Sequence, residues 1–384
     1  MSAMVGFLTS FLWISPSWNK IQDPIMRSTV DLGYFHTSEN GKETPNFCEC
    51  RKLVNHKGRL CTFDDDDGES NTIPKGKKCN IMSNYAHDII TEDMLLKLLS
   101  PQLLDYKGLQ KTKKTNSTIS ILKEHFRKDV PIIWDIDLDY FGCENAGQDL
   151  IDAGIKWPIV ERIDSFLEIF FCPKNMNHET LADIILKQVL LKTIQTCGLS
   201  DTMHSCKASF TEVQKLTFKM INASSKEYPD LFCNRTEPKL MQNWKWIAYI
   251  FYRLRYPMLQ ALLKKGFCFQ TTPKTYDGQE LMVQICHGHN PPEDDVVQIY
   301  HTSEEDILAR LKRLEKILSL LPNPQLVTIC RSSRDGYVPR KYAKQIEQGV
   351  IEAIRRSKQQ TNFWTLFDSD LLGGEDGYTA RYKV

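Results

Sequence analysis

The sequence predicts an α/β fold, a mostly parallel sheet flanked by helices, with a helical middle section at about 151–266. Three observations predict it. Residues 303–356 run helix, strand, loop, helix, the rhythm of a parallel crossover. The apolar stem "VPIIW" (Val130 to Trp134) runs into a row of carboxylates, and open α/β sheets gather function at the carboxyl ends of strands. Residues 155–266 carry apolar side chains at helical spacing. The 384 residues are enough for two average domains or one large α/β domain, and the expectation is a single domain, 1–384. Apolar residues make up 41% and charged residues 25%, which excludes a disordered chain. The net charge of +1 argues neither for nucleic acid nor for an anionic membrane surface, and no partner of either kind is expected.

The elements follow in order. "VGFLTSFLWI" (Val5 to Ile14) ends at Ser15-Pro16 and reads as a buried strand, too short to span a bilayer. Polar insertions are expected at about 40–80, including "DDDDGESNTIPKGKK", and at 107–118. Thr91 to Leu104 has an N-cap, early acids and a break at Pro101. Ile119 to Phe126 reads as a short helix feeding a strand over Val130 to Asp139. Helices follow at Ile155–Phe171, His178–Gln195 and Ser209–Ile221, then Asn243–Gly266 with a stop or kink at Pro257. The stripe Trp244, Trp246, Tyr249, Phe251 and Tyr252 on this last helix reads as core. Ser303 with Asp306 caps an amphipathic helix to Leu321. The strand Gln325–Cys330, a loop Arg331–Pro339 and a helix Arg340–Arg356 complete the chain.

The acids invite chemistry. On a strand, Asp135, Asp137 and Asp139 would share one face. Two carboxylates about 6 Å apart repel by about 3 kcal/mol at an effective dielectric near 20. A divalent cation with oxygen ligands would relieve that. An EF-hand loop starting at Asp135 fails, because Tyr140 and Ala146 stand where Gly and Glu are needed. A haloacid-dehalogenase-like phosphatase with Asp135 as nucleophile fits the strand, although Asp139 stands in its Thr/Val place.

"WDIDLDYF" (Trp134 to Phe141) resembles the "DIDLDFF" segment of a poorly characterised family that includes the peptide arginases. "LPNPQLVTICRSSRDGYVP" (Leu321 to Pro339) resembles that family's C-terminal block, and "LWISPSW" (Leu12 to Trp18) an upstream segment. The resemblance implies an arginase/deacetylase-like fold, N-terminally incomplete, and a hydrolase that turns peptide arginine into ornithine and urea. It implies Asp135, Asp137 and Asp139 as metal ligands, Mn²⁺ as the cofactor, and Arg331 and Ser332 as substrate contacts. The family's upstream H-x-D-x-H motif, the other half of a two-metal site, is absent. His87-Asp88 is its nearest echo and reads as a surface pair. "CHGHNPPEDD" (Cys286 to Asp295) offers His287, His289 and Glu293 as further substrate contacts. A non-catalytic binding or scaffold protein is the alternative.

The twelve cysteines are irregularly spaced, with no C-x-x-C. Cys268 and Cys330 lie in apolar runs and read as small buried hydrophobes. The expectation is an intracellular protein, cytoplasmic or nuclear, with reduced thiols. The sequons at Asn116, Asn222 and Asn234 then read as chance matches. A zinc site on Cys48, Cys50, Cys61 and Cys79 is the lesser reading of so polar a stretch.

Overall fold

The computed structural model describes residues 8–20, 25–39, 42–53, 58–64, 70–99, 125–127, 130–174, 176–202, 205–233, 236–269, 283–287, 298–333, 336–358 and 364–366. They fall into two compact units, residues 1–135 with 312–328 and residues 136–311 with 329–384.

The first unit is built on a six-stranded sheet. Its strands are β1 (Ser10–Ser15), β2 (Ile25–Glu39), β3 (Lys42–Leu53), β4 (Arg59–Asp64), β5 (Ser70–Thr72) and β6 (Asn80–Thr91), in the order β1-β6-β2-β3-β4-β5. Only β1 and β6 run parallel, while β2–β3, β2–β6, β3–β4 and β4–β5 are antiparallel. The expected mostly parallel sheet flanked by helices is therefore wrong. Parallel neighbours need crossovers of a dozen or more residues, and strands β2 to β5 follow one another at much shorter spacing. The reading of 40–80 as polar loop hid three of these strands.

Pairing in this sheet is irregular at Leu32/Gly33, where the β2–β6 register slips. There a Cβ on Gly33 would lie 2.1 Å from the Asn80 carbonyl oxygen, so only glycine fits. On either side, β2 buries Ser28 and Val30 on one face and Gly33 and Phe35 on the other. Strand β1 keeps its aromatics largely exposed, Phe11 and Trp13 at 40% and 43%, so its apolar run lies at a sheet edge. Helix α1 (Glu92–Leu98) follows β6, capped by Thr91 accepting from the Met94 N–H. The fully buried Glu92 accepts the Ser17 N–H at 2.8 Å and pairs with Arg313 at 3.1 Å.

The second unit is mainly helical: α2 (Gln148–Asp152), α3 (Trp157–Phe170), α4 (Met176–Cys197), α5 (Phe210–Glu227), α6 (Glu237–Arg253), α7 (Tyr256–Lys265) and α9 (Arg340–Lys358). Helix α8 (Glu304–Leu320) begins in this unit and ends among residues of the first. The long aromatic segment is two helices, α6 ending at Arg253 and α7 opening with Pro257 in its first turn. Trp244 and Phe251 of the expected stripe are core, whereas Trp246 and Tyr249 are half exposed. The Trp244 indole N–H donates to Thr217 Oγ1 at 3.1 Å, which satisfies the polar end of a fully buried ring.

Strands β8 (Phe267–Phe269) and β9 (Val283–Ile285) form an antiparallel ribbon inside this helical unit. A buried two-stranded ribbon leaves outward N–H groups that water cannot reach. Acids of neighbouring helices take them. Asp183 and Glu179 of α4 accept from Phe267 and Phe269 at 2.8 and 3.1 Å, and Asp164 of α3 accepts from Ile285 at 2.8 Å. The expected linker at 107–118 and all but the end of the Ile119–Phe126 helix lie outside the described residues. Among the described residues no helix is long and apolar enough to cross a membrane.

Candidate functional site

The acid motif lies on β7 (Ile133–Asp137), which pairs with β10 (Leu326–Cys330). Along β7 burial alternates, with Trp134 and Ile136 inside and Ile133, Asp135 and Asp137 exposed. Asp135 and Asp137 thus share a face, as a period of two requires. Asp139 leaves the row. The chain turns into a 3-10 helix, Leu138–Phe141, capped by Asp137 accepting the Asp139 N–H at 3.3 Å.

Each strand acid meets a hydroxyl of the C-terminal block. Thr328 Oγ1 donates to Asp135 Oδ1 at 2.6 Å, and Ser332 Oγ donates to Asp137 Oδ1 at 2.6 Å. Ser332 adopts φ 42°, among the described residues the one positive φ outside glycine. Its carbonyl accepts the Val338 N–H at 2.7 Å, which closes the loop on itself. Water and neighbouring hydroxyls, rather than burial, are what the exposed carboxylates face.

Arg331, expected to touch substrate, is joined to Glu347. Its Nε and terminal nitrogen donate to Glu347 Oε1 of α9 at 3.1 and 3.0 Å, with both side chains largely buried. His287 is also engaged inside the fold. Its Nε2 lies 2.5 Å from Asp164 Oδ2, and its ring meets Trp157 edge-on. His289 and Glu293 lie outside the described residues.

Among the described residues no three His, Cys, Asp or Glu side chains gather as a metal-binding group. Asp135 and Asp137 offer hard oxygen donors, which suit one Mg²⁺ or Mn²⁺ ion keeping several waters. They do not amount to a two-metal centre, which needs bridging acids and further ligands.

Two further readings are corrected, the first by burial. His87-Asp88 is not a surface pair: Asp88 is 1% exposed and lies between Arg27 Nε at 3.3 Å and the buried His125 Nε2 at 2.9 Å. His87 beside it is held below the usual imidazole range, first by burial and then by Arg51. Disulfide pairing, not burial, corrects the expectation of reduced thiols for ten of the twelve cysteines, while Cys143 and Cys330 are not disulfide-bonded. Disulfides join Cys48–Cys79, Cys50–Cys61, Cys172–Cys233, Cys197–Cys206 and Cys268–Cys286. The four cysteines weighed as zinc ligands do gather, as two disulfides. Cys268 is buried but bonded, and Cys330 is exposed.

The partners that sequence reasoning missed are Thr328, Glu347 and Asp164. Thr328 and Glu347 sit in strand and helix segments that were read correctly, but nothing local marks their long-range bonds. The alternation Phe47, Cys48, Glu49, Cys50, Arg51 was a legible strand signal for β3. A scan of the chain against models of known protein families finds no match.

Proposed function

We propose that this chain is a metal-dependent hydrolase of the peptide-arginase kind, acting on arginine side chains of proteins or peptides, with Asp135 and Asp137 as the acid half of its metal site. One observation carries the reading. The two sequence blocks that resemble the family lie on neighbouring strands, and hydroxyls of the second bond to acids of the first across 193 and 195 residues. A divalent cation bound there would supply a water of lowered pKa. The chain's own contribution is orientation: Thr328 and Ser332 fix one oxygen of each carboxylate and leave the other to face a cation. Arg331, tied to Glu347, positions the loop that carries Ser332.

Calorimetric titration with Mn²⁺ tests the site, and urea release from an arginine-bearing peptide tests the reaction. The wild type should bind Mn²⁺ and the Asp135→Ala/Asp137→Ala variant should not. Equally poor binding by both would sink the proposal. A second reading, a binding protein without turnover, is favoured by the hydroxyl bonds that both acids already accept. It predicts cation binding with no urea released.

A further inference from the structure

The chain's redox state has a consequence outside the acid site. Of the twelve cysteines, five disulfides take all but Cys143 and Cys330. The bonds span 9 to 61 residues of sequence. They occur in both units and join different elements: β3 to the residue preceding β6, β3 to β4, and β8 to the end of the β8–β9 ribbon. Cysteines placed only as small hydrophobes have no reason to meet in five separate pairs. Each pair forms by losing two protons and two electrons to an oxidant, for which the disulfide of a thiol oxidoreductase suffices. Glutathione and thioredoxin hold thiols reduced in the cytosol, so such a set accumulates where proteins are oxidised as they fold.

That compartment is also where N-x-S/T sequons are read, which changes the meaning of Asn222-Ala223-Ser224. Asn222 lies in the C-terminal half of α5, whose core face is Val213, Thr217, Phe218 and Ile221. Its side chain is partly exposed and Ala223 beside it is exposed. The Asn222 backbone carbonyl accepts the Ser225 hydroxyl at 3.0 Å. Among the described residues, no hydrogen bond holds its side-chain amide. A sugar on Nδ2 therefore breaks no internal bond. The other two sequon asparagines, Asn116 and Asn234, lie outside the described residues.

We propose that this protein matures in an oxidising secretory compartment, where its five disulfides form and Asn222 receives an N-linked glycan. In the transfer, Asn222 Nδ2 attacks the anomeric carbon of a lipid-pyrophosphate-linked oligosaccharide. The C–N bond forms, the C–O bond to pyrophosphate breaks, the amide proton goes to a base, and the lipid pyrophosphate leaves.

The endogenous protein tests both halves at once. It is denatured without reductant, alkylated with N-ethylmaleimide, treated with peptide N-glycosidase in heavy-oxygen water, and mapped by mass spectrometry. Alkylation confined to Cys143 and Cys330, five linked peptide pairs, and heavy-oxygen deamidation at Asn222 are the expected result. Alkylation of all twelve cysteines overturns the proposal. Intact disulfides with an unlabelled Asn222 overturn the glycan assignment. A Ser224→Ala variant of the full chain removes the acceptor motif while keeping Asn222. It should lose one glycan step on a gel and keep its melting profile, and migration identical to wild type before glycosidase treatment overturns the assignment.

Discussion

Strands β3 to β5 and the helical core of the second unit are held by different means. Among residues of β3, β4 and β5 with described burial, the only buried side chains are Cys48 and Cys50, while Phe47 and Leu60 are 66% and 63% exposed. The helical unit instead packs an extended cluster around Trp244, Phe170, Phe171 and Phe251, each at most 1% exposed. Antiparallel hydrogen bonds and cross-links hold the first region, and apolar burial holds the second. Strand pairing without a core is marginal in water, so disulfides matter most where packing contributes least.

Breaking the core should have the largest effect. Trp244→Ala removes a fully buried ring and leaves the Thr217 hydroxyl without its donor, at a cost of about 4 kcal/mol in denaturant unfolding. Phe47→Ala in β3 should stay within about 0.5 kcal/mol. Similar losses from both would erase the distinction.

Removing a cross-link probes the other side. By loop-closure entropy, Cys48→Ser/Cys79→Ser, which opens a 31-residue separation, should cost about 3.7 kcal/mol. Hydrogen exchange should rise across β3 to β5 and remain unchanged in α3 to α6. Unchanged protection in β3 to β5 would mean that pairing alone holds the strands.

Gly33→Ala sharpens the contrast within the first unit. Its Cβ would collide with the Asn80 backbone at the slipped register, so a loss of about 2 kcal/mol is expected in the same unfolding measurement. A neutral result would show that the sheet shifts to make room.

The smallest effect belongs to a helix end. The Asp306 carboxyl is held below the usual carboxylate range, first by the Ser303 hydroxyl and then by the Ser303 N–H. A carboxyl depressed in the folded state adds stability above its unfolded value near 3.8, and that stability is lost as pH falls through the folded value. Ser303→Ala should move the Asp306 titration upward by NMR and cost about 1 kcal/mol. A titration that does not move would reject the reciprocal cap.

Local physics made much of the helical part legible. The helix expected from Ser209 does begin there, Ser303 and Asp306 do cap each other, and the long aromatic helix does break, although between Arg253 and Tyr256 with Pro257 in the first turn of the second helix. The shared face of Asp135 and Asp137 followed from strand period alone. Asp139 did not follow, because its place depends on the turn that Asp137 caps. Strands β3 to β5 were missed for a related reason, since their polar composition matches a loop and only pairing partners make them strands, and β2, β6, β8 and β9 were not expected as strands either.

The sequence by itself determined the Ser303–Asp306 cap and the shared face of Asp135 and Asp137, since both depend on residues within one turn, whereas several helices end elsewhere than expected, at Leu98, Glu227 and Arg253 among them. The tertiary structure alone decided which cysteines pair, which way the strands run, that Asp88 is buried between Arg27 and His125, and that Arg331 is committed to Glu347. Each of these joins groups that a local pattern cannot relate. Their energies depend on burial and on a partner brought into reach only when the chain folds.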